Sequence, residues 1–292
     1  MESVSVCLVG GLGNQMFQYA AARAVALRNQ VPLTLDLSWF GTDPDRQFAL
    51  SPFNIDATLM SANGARRGKA SLFDRIERRL RRIVGWPSGG VPVYAERSFR
   101  FDPAIHAVKA PVALDGYFQS ARYFEAIREQ IAQDFTWREA AQGLTADMLD
   151  CIVQSDAICV HIRRGDYVSN SAANAYHGTC SLAYYRDGLE LVRQGLDSPH
   201  CFVFSDDPDW VKANFRSELP VTVVDIHSTE QAHEDLRLMS ACRRFVIANS
   251  SLSWWAAWLG SANDKRVVAP MRWFSGGDND TTDLIPADWL RV

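Results

Sequence analysis

From residue 157 onward, uninterrupted apolar runs alternate with stretches of helical periodicity, and few architectures accept that pattern. The runs cover residues 157–162, 201–204, 221–225, 245–248 and 266–269. Between them, apolar residues recur at three- and four-residue spacing over 184–193, 208–215, 230–242 and 253–259. A strand with one wet face alternates apolar and polar residues. A continuous apolar strand is covered on both faces, and strands alternating with helices provide that cover in a parallel sheet. The spacing therefore predicts an α/β domain with a Rossmann-like parallel sheet.

The amino-terminal part begins the same way. A β-rich run at 4–9 leads into the glycine turn Gly10-Gly11-Leu12-Gly13. Met16, Phe17, Ala20, Ala21, Ala24 and Val25 then mark a helix, and a second strand follows at 33–37. The chain is irregular from there to about residue 70. At 292 residues it has the length of two domains of roughly 150 residues each. The boundary is placed near 143–151, giving lobes of 1–150 and 151–292.

Composition narrows the function classes. With 47% hydrophobic and 22% charged residues, the chain is neither disordered nor fibrous. Thirty Lys and Arg against 34 Asp and Glu leave a net charge of −4, so a chain-wide basic field for nucleic acid is missing. None of the six cysteines sits in a CxxC pair. They read as reduced, buried small hydrophobes in a reducing compartment. Neither long uncharged stretch, 3–22 or 245–263, is apolar enough to read as a signal peptide or a spanning helix. The expectation is a cytoplasmic protein, with at most a peripheral membrane contact.

One segment departs from the whole. Residues 66–82 carry Arg66, Arg67, Lys69, Arg75, Arg78, Arg79, Arg81 and Arg82 against Asp74 and Glu77, with Phe73, Ile76 and Leu80 on one helical face. A basic amphipathic helix has three readings: a solvated surface, an anchor to anionic lipid, or a nucleic-acid contact. The absence of interleaved aromatics makes the last the weakest.

Ligands of open α/β sheets sit at the carboxyl ends of the strands. His161 closes the 157–162 run, and Arg163-Arg164-Gly165-Asp166-Tyr167 follow it. Ser205-Asp206-Asp207-Pro208 follow the second run and Asn249-Ser250-Ser251 the fourth. With the glycine turn and Asn14, these residues are expected around one crevice. Paired arginines suit a diphosphate, because the guanidinium fork matches phosphate oxygens and keeps its charge. Ser250 and Ser251 precede a helix and can cap it or bind an anion there. The aspartates can accept from ribose hydroxyls or from the N–H donors of guanine; alternatively an arginine pairs with Asp166. Gly11-x-Gly13 has Met16 where the dinucleotide fingerprint needs a third glycine, which disfavours a nicotinamide or flavin oxidoreductase. The Asp-x-Asp triplets at 43–45, 207–209 and 278–280 are too ordinary in so acidic a chain to define a metal site.

Four runs taken in order carry a resemblance: Gly10-Gly11-Leu12-Gly13-Asn14-Gln15-Met16-Phe17-Gln18-Tyr19, His161-Ile162-Arg163-Arg164-Gly165-Asp166-Tyr167, Phe204-Ser205-Asp206-Asp207 and Asn249-Ser250-Ser251-Leu252-Ser253-Trp254-Trp255. Together they resemble the α-1,2-fucosyltransferases of glycosyltransferase family 11 over nearly the whole chain. The resemblance implies the two-lobed glycosyltransferase-B fold, with an acceptor-side first lobe and a GDP-fucose-binding second lobe. It implies inverting transfer to the 2-hydroxyl of a galactose-containing glycan, without a metal, typically in bacterial surface-glycan synthesis. By the resemblance Arg163 contacts the donor β-phosphate, with His161 and Arg164 in support. Asp207, Asp235, Ser250 and Ser251 fall where related enzymes contact nucleoside or phosphate. Gly11, Gly13 and Asn14 form a cleft-facing turn. Asp166 and His161 are the alternatives for the acceptor base, and a mechanism led by leaving-group departure needs neither. A different fucosyl linkage, or a dinucleotide-dependent oxidoreductase, stands as the rival reading.

Overall fold

The computed structural model describes residues 2–44, 46–60, 90–164, 178–277 and 279–292. The basic segment 66–82 lies outside them, as does Asp166. The chain divides into two compact units, Met1–Arg138 with Asp280–Leu284, and Glu139–Asn279 with Ile285–Val292. The switch at Arg138 precedes the helix Gly143–Val153, where the sequence reading placed the boundary, and that helix belongs to the second unit.

The first unit holds a parallel five-stranded sheet of order β3-β2-β1-β5-β4. Its strands are β1 (Val4–Cys7), β2 (Leu33–Asp36), β3 (Thr58–Met60), β4 (Val93–Ala95) and β5 (Val112–Asp115). Val4, Val6, Leu33, Leu35, Val112 and Leu114 supply its buried face. The helix Leu12–Asn29 joins β1 to β2 and is buried nearly all round, which its run of alanines allows. Strands β3 and β4 have three residues each, and all of β3 is exposed, so no apolar period announces them.

The second unit holds a parallel six-stranded sheet of order β11-β10-β9-β6-β7-β8. Its strands are β6 (Asp156–Ile162), β7 (Pro199–Ser205), β8 (Val221–Val224), β9 (Arg244–Val246), β10 (Arg266–Ala269) and β11 (Leu290–Arg291). All five apolar runs are strands of this sheet. Numbered within the unit, the order is the 3-2-1-4-5-6 of dinucleotide-binding folds, and the order reverses between β6 and β9. Ile158, Val160, Ile162, Val203, Val246 and Val268 form one core with Tyr184, Tyr185, Leu189 and Val192 of the helix Leu182–Val192. That helix packs close because residue 188 is glycine: a Cβ there would lie 2.8 Å from Val246 Cγ1. On the other face, the helices Gly143–Val153 and Ala232–Ser240 pack together, and the former also contacts β6.

The cysteines are free thiols. Cys159, Cys201 and Cys242 are buried as expected, whereas Cys151 on the helix Gly143–Val153 is exposed. No described helix is long and apolar enough to cross a membrane.

One short segment has a disproportionate role in the first unit. Asp283 accepts from Phe101 N (3.0 Å) and pairs with Arg100 (2.9 Å) and Arg122 (2.8 Å), while Ser120 Oγ donates to its carbonyl (2.6 Å).

Candidate functional site

The site is built where β6 and β7 end together. Their register pairs Ile162 with Ser205, so the residues that follow, 163–164 and 206–207, emerge side by side. Asp206 uses both carboxylate oxygens at this edge. Oδ2 lies 2.9 Å from Arg163 Nε, and Oδ1 accepts from the Arg164 backbone N–H at 2.8 Å. Arg164 turns away from its neighbour. Its guanidinium lies 3.6 Å over the Trp210 ring, with Nε 3.5 Å from Asp207 Oδ2. The two arginines thus diverge, each with its own carboxylate, and both keep part of their surface in solvent.

Asp207 is engaged twice. Besides facing Arg164, it caps the helix Pro208–Asn214: Oδ1 accepts from Trp210 N at 3.2 Å, with Pro208 opening the first turn. Asp209 points to solvent beside Lys212 and does not join Asp207. Asp280 accepts from Thr282 and Arg100. Among the described residues no group of three His, Cys, Asp or Glu converges as metal ligands.

His161 is buried, and its Nδ1 has no hydrogen-bond partner among the described residues. Burial drives its pKa down to about 4; Asp206 opposes that shift and Arg163 adds to it. The ring is neutral at physiological pH.

Across the switch point, β9 leads to Asn249, Ser250 and the helix Ser251–Leu259. Ser250 has the extended backbone of an N-cap, yet its hydroxyl makes no capping bond. Lys265 Nζ holds the far end of this helix through the carbonyls of Ala257 (3.0 Å) and Gly260 (2.8 Å). Trp254 and Trp255 fix its body in the core. A helix N-terminus beside two arginines favours an anion. Asn249 has a role that the sequence did not reveal. Its buried amide donates to the carbonyls of Gly178 (3.3 Å) and Trp273 (3.2 Å), tying two return loops to the end of β9.

Asp235 stands in the first turn of the helix Ala232–Ser240. Its Oδ1 is 2.7 Å from His227 Nδ1, and His227 Nε2 is 2.8 Å from Thr145 Oγ1. Burial raises the Asp235 pKa.

The glycine turn does not belong to this edge. It follows β1, in the sheet of the first unit. Gly10 has φ +77°, and a Cβ there would come 2.8 Å from Asn14 Nδ2, which is why glycine stands there. Gly11 caps the helix Leu12–Asn29, and Gly13 is buried in its first turn. The amides after the turn clamp loops. Gln15 donates to the carbonyls of Gly10 and Gln47 (both 2.9 Å) and accepts from Ala49 N (2.8 Å). Gln18 accepts from Val9 N (3.0 Å) and donates to Gly116 O (3.2 Å). Half-buried Asn14 accepts from Gln119 Nε2 at 2.9 Å.

The model of glycosyl transferase family 11 matches residues 101–289. The chain is 33% identical to an O-antigen biosynthesis glycosyltransferase, WbnK, of Escherichia coli, over 98% of this chain and 99% of that protein. It is 32% identical to an α-1,2-colitosyltransferase of the same organism, over 100% and 99%. A galactoside α-(1,2)-fucosyltransferase 2 of Sus scrofa matches at 26%, over 86% and 68%. Among solved structures, the fucosyltransferase NodZ from Bradyrhizobium aligns with a TM-score of 0.47 at 15% identity, over 88% of this chain and 93% of that one.

Proposed function

The chain belongs to glycosyl transferase family 11, and from that premise we propose that it transfers L-fucose from GDP-fucose to the 2-hydroxyl of a galactose-containing acceptor in surface-glycan synthesis. The observation that carries the reading is the edge of the second sheet. Arg163 and Arg164, each oriented by an aspartate, stand at the end of β6, across the switch point from the N-terminus of the helix Ser251–Leu259.

A β-linked donor gives an α-linked product by a single displacement. Negative charge grows on the departing diphosphate and positive charge on the sugar. A guanidinium already held in place stabilises the first without reorganising as the bond breaks. Arg163 has that role, and Arg164 supports it. Ser250, whose hydroxyl is not used in capping, and Ser251 at the helix start receive phosphate oxygens. Asp235 and Asp207 face the nucleoside. His161 contributes as a neutral ring; with a pKa of about 4 it is a weak base at neutral pH. An ordinary aspartate has a pKa no higher, so the acceptor proton goes to Asp166 or to His161, or leaves late, after the diphosphate has begun to depart. In the first unit, Asn14 at the glycine turn serves the acceptor side. Arginines supply the charge that a divalent cation supplies elsewhere, so no metal is needed.

A second donor comes from the relative named α-1,2-colitosyltransferase, which matches the whole chain. One experiment tests both. The purified protein is given GDP-fucose or GDP-colitose with galactose-terminated oligosaccharides in excess EDTA, and the linkage of the product is determined. An α-1,2-fucosylated galactoside is expected. Preference for GDP-colitose replaces the donor, a different linkage replaces the acceptor position, and activity restored only by Mg²⁺ or Mn²⁺ overturns the metal-free mechanism.

A further inference from the structure

We infer that His227 and Thr145 are positioning residues that set Asp235 to read the base of the donor nucleotide, an inference resting on the second unit being the nucleotide site. Three elements bring them together at the carboxyl edge of the sheet. Thr145 is in the first turn of the helix leading to β6, His227 lies just past β8, and Asp235 is in the first turn of the helix leading to β9.

The hydrogen bonds have a direction. An ionised carboxylate can only accept, so His227 Nδ1 carries the proton and donates to Asp235 Oδ1 at 2.7 Å. In the neutral ring Nε2 is then an acceptor, and the Thr145 hydroxyl donates to it at 2.8 Å. The His227 side chain is 3% exposed, so both ring nitrogens are committed. Asp235 differs: its side chain is 29% exposed, and Oδ2 accepts no hydrogen bond from the described residues. The relay fixes the plane of the carboxylate and leaves one oxygen for a ligand.

That oxygen selects among bases. Guanine presents two adjacent N–H donors, N1–H and the 2-amino group, to a carboxylate. Adenine presents an acceptor at N1, which a carboxylate repels. A site built to accept from donors rejects the analogue that lacks them. Rotation of Asp235 about its side-chain bonds would blunt the discrimination, and the relay prevents that rotation.

Titration calorimetry of the full-length protein with GDP and with ADP is the test. Wild type should bind GDP at least about tenfold more tightly, the scale of one hydrogen bond to a charged group. His227→Phe should weaken GDP binding by about that factor and leave ADP binding unchanged. His227→Asn, whose amide can still donate to Asp235, should recover much of the preference. Asp235→Asn, nearly isosteric, should lose it even if His227→Phe fails to fold. Equal loss for both nucleotides in His227→Phe would mark a structural role and overturn the inference, as would an undiminished GDP preference in Asp235→Asn. Wild type that binds neither nucleotide would instead overturn the reading of the site itself.

Discussion

Removing Asp206 should harm transfer only while Arg163 is present. Asp206→Asn is the informative change, because its retained oxygen still accepts from Arg164 N while its amide replaces the charge facing Arg163 Nε. The pair is 2.9 Å apart, with side chains 23% and 11% exposed, so it is only partly screened. A hydrogen bond between such charges contributes about 1.5–3 kcal/mol. Loss near the lower end lets the guanidinium swing and slows transfer by roughly tenfold, since about 1.4 kcal/mol is a factor of ten. Arg163→Ala removes the stabilising donor itself and costs about 10²–10³-fold in rate. If Asp206 acts through Arg163, the double variant is no slower than Arg163→Ala. If the two act independently, it is slower by a further factor of about ten, well beyond the 0.3–0.5 kcal/mol within which independent effects add. Initial rates at varied GDP-fucose give kcat/KM for all four proteins, and thermal unfolding checks that each is folded. Additive losses would refute the coupling.

The stack of Arg164 on Trp210 predicts that Trp210→Phe retains most activity, while Trp210→Leu loses about three- to tenfold, the range of a cation–π contact; equal rates would sink that role. Burial lowers the His161 pKa to about 4, so between pH 6.5 and 4 the unfolded chain binds more protons than the folded one. Stability is then full above pH 6.5 and declines as pH falls through that window, and His161→Gln should flatten the dependence of Tm on pH there. An unchanged slope would assign the loss to other groups. For the basic segment, outside the described residues, co-sedimentation with anionic vesicles is expected at low salt and not at high salt. It should be abolished by replacing Arg78, Arg79, Arg81 and Arg82 with Gln. Wild type left in the supernatant at low salt would exclude the anchor.

The second sheet was legible because each strand is an apolar run long enough to stand out, and its chemistry follows directly at the strand ends. Arg163, Arg164, Asp207 and Ser250 fall at that edge for this reason. The first sheet was half hidden. β3 and β4 are too short to show a period, and the exposed Leu59 and Met60 of β3 give no sign of burial. Roles that depend on long-range partners could not be read at all. Gln15 and Gln18 stand in the motif run after the glycine turn, and both are wholly buried clamps on segments far along the chain. Asn249 follows the fourth apolar run with no partner legible in the sequence, and its amide ties loops together. His227 and Thr145 carry no motif; only folding brings Asp235 beside them.

The bonds of Asp283 bear on how the protein is made. A ribosome delivers the chain from one end, and domains ordinarily close in the order they emerge. Here Arg100, Phe101, Ser120 and Arg122 are synthesised early, but their shared partner arrives 161 residues after Arg122. All of Glu139–Asn279 is translated in between. The earlier unit therefore waits, with two cations and a backbone amide unmatched, until Glu139–Asn279 of the other unit has emerged, and its completion during biogenesis depends on a segment translated after most of that unit.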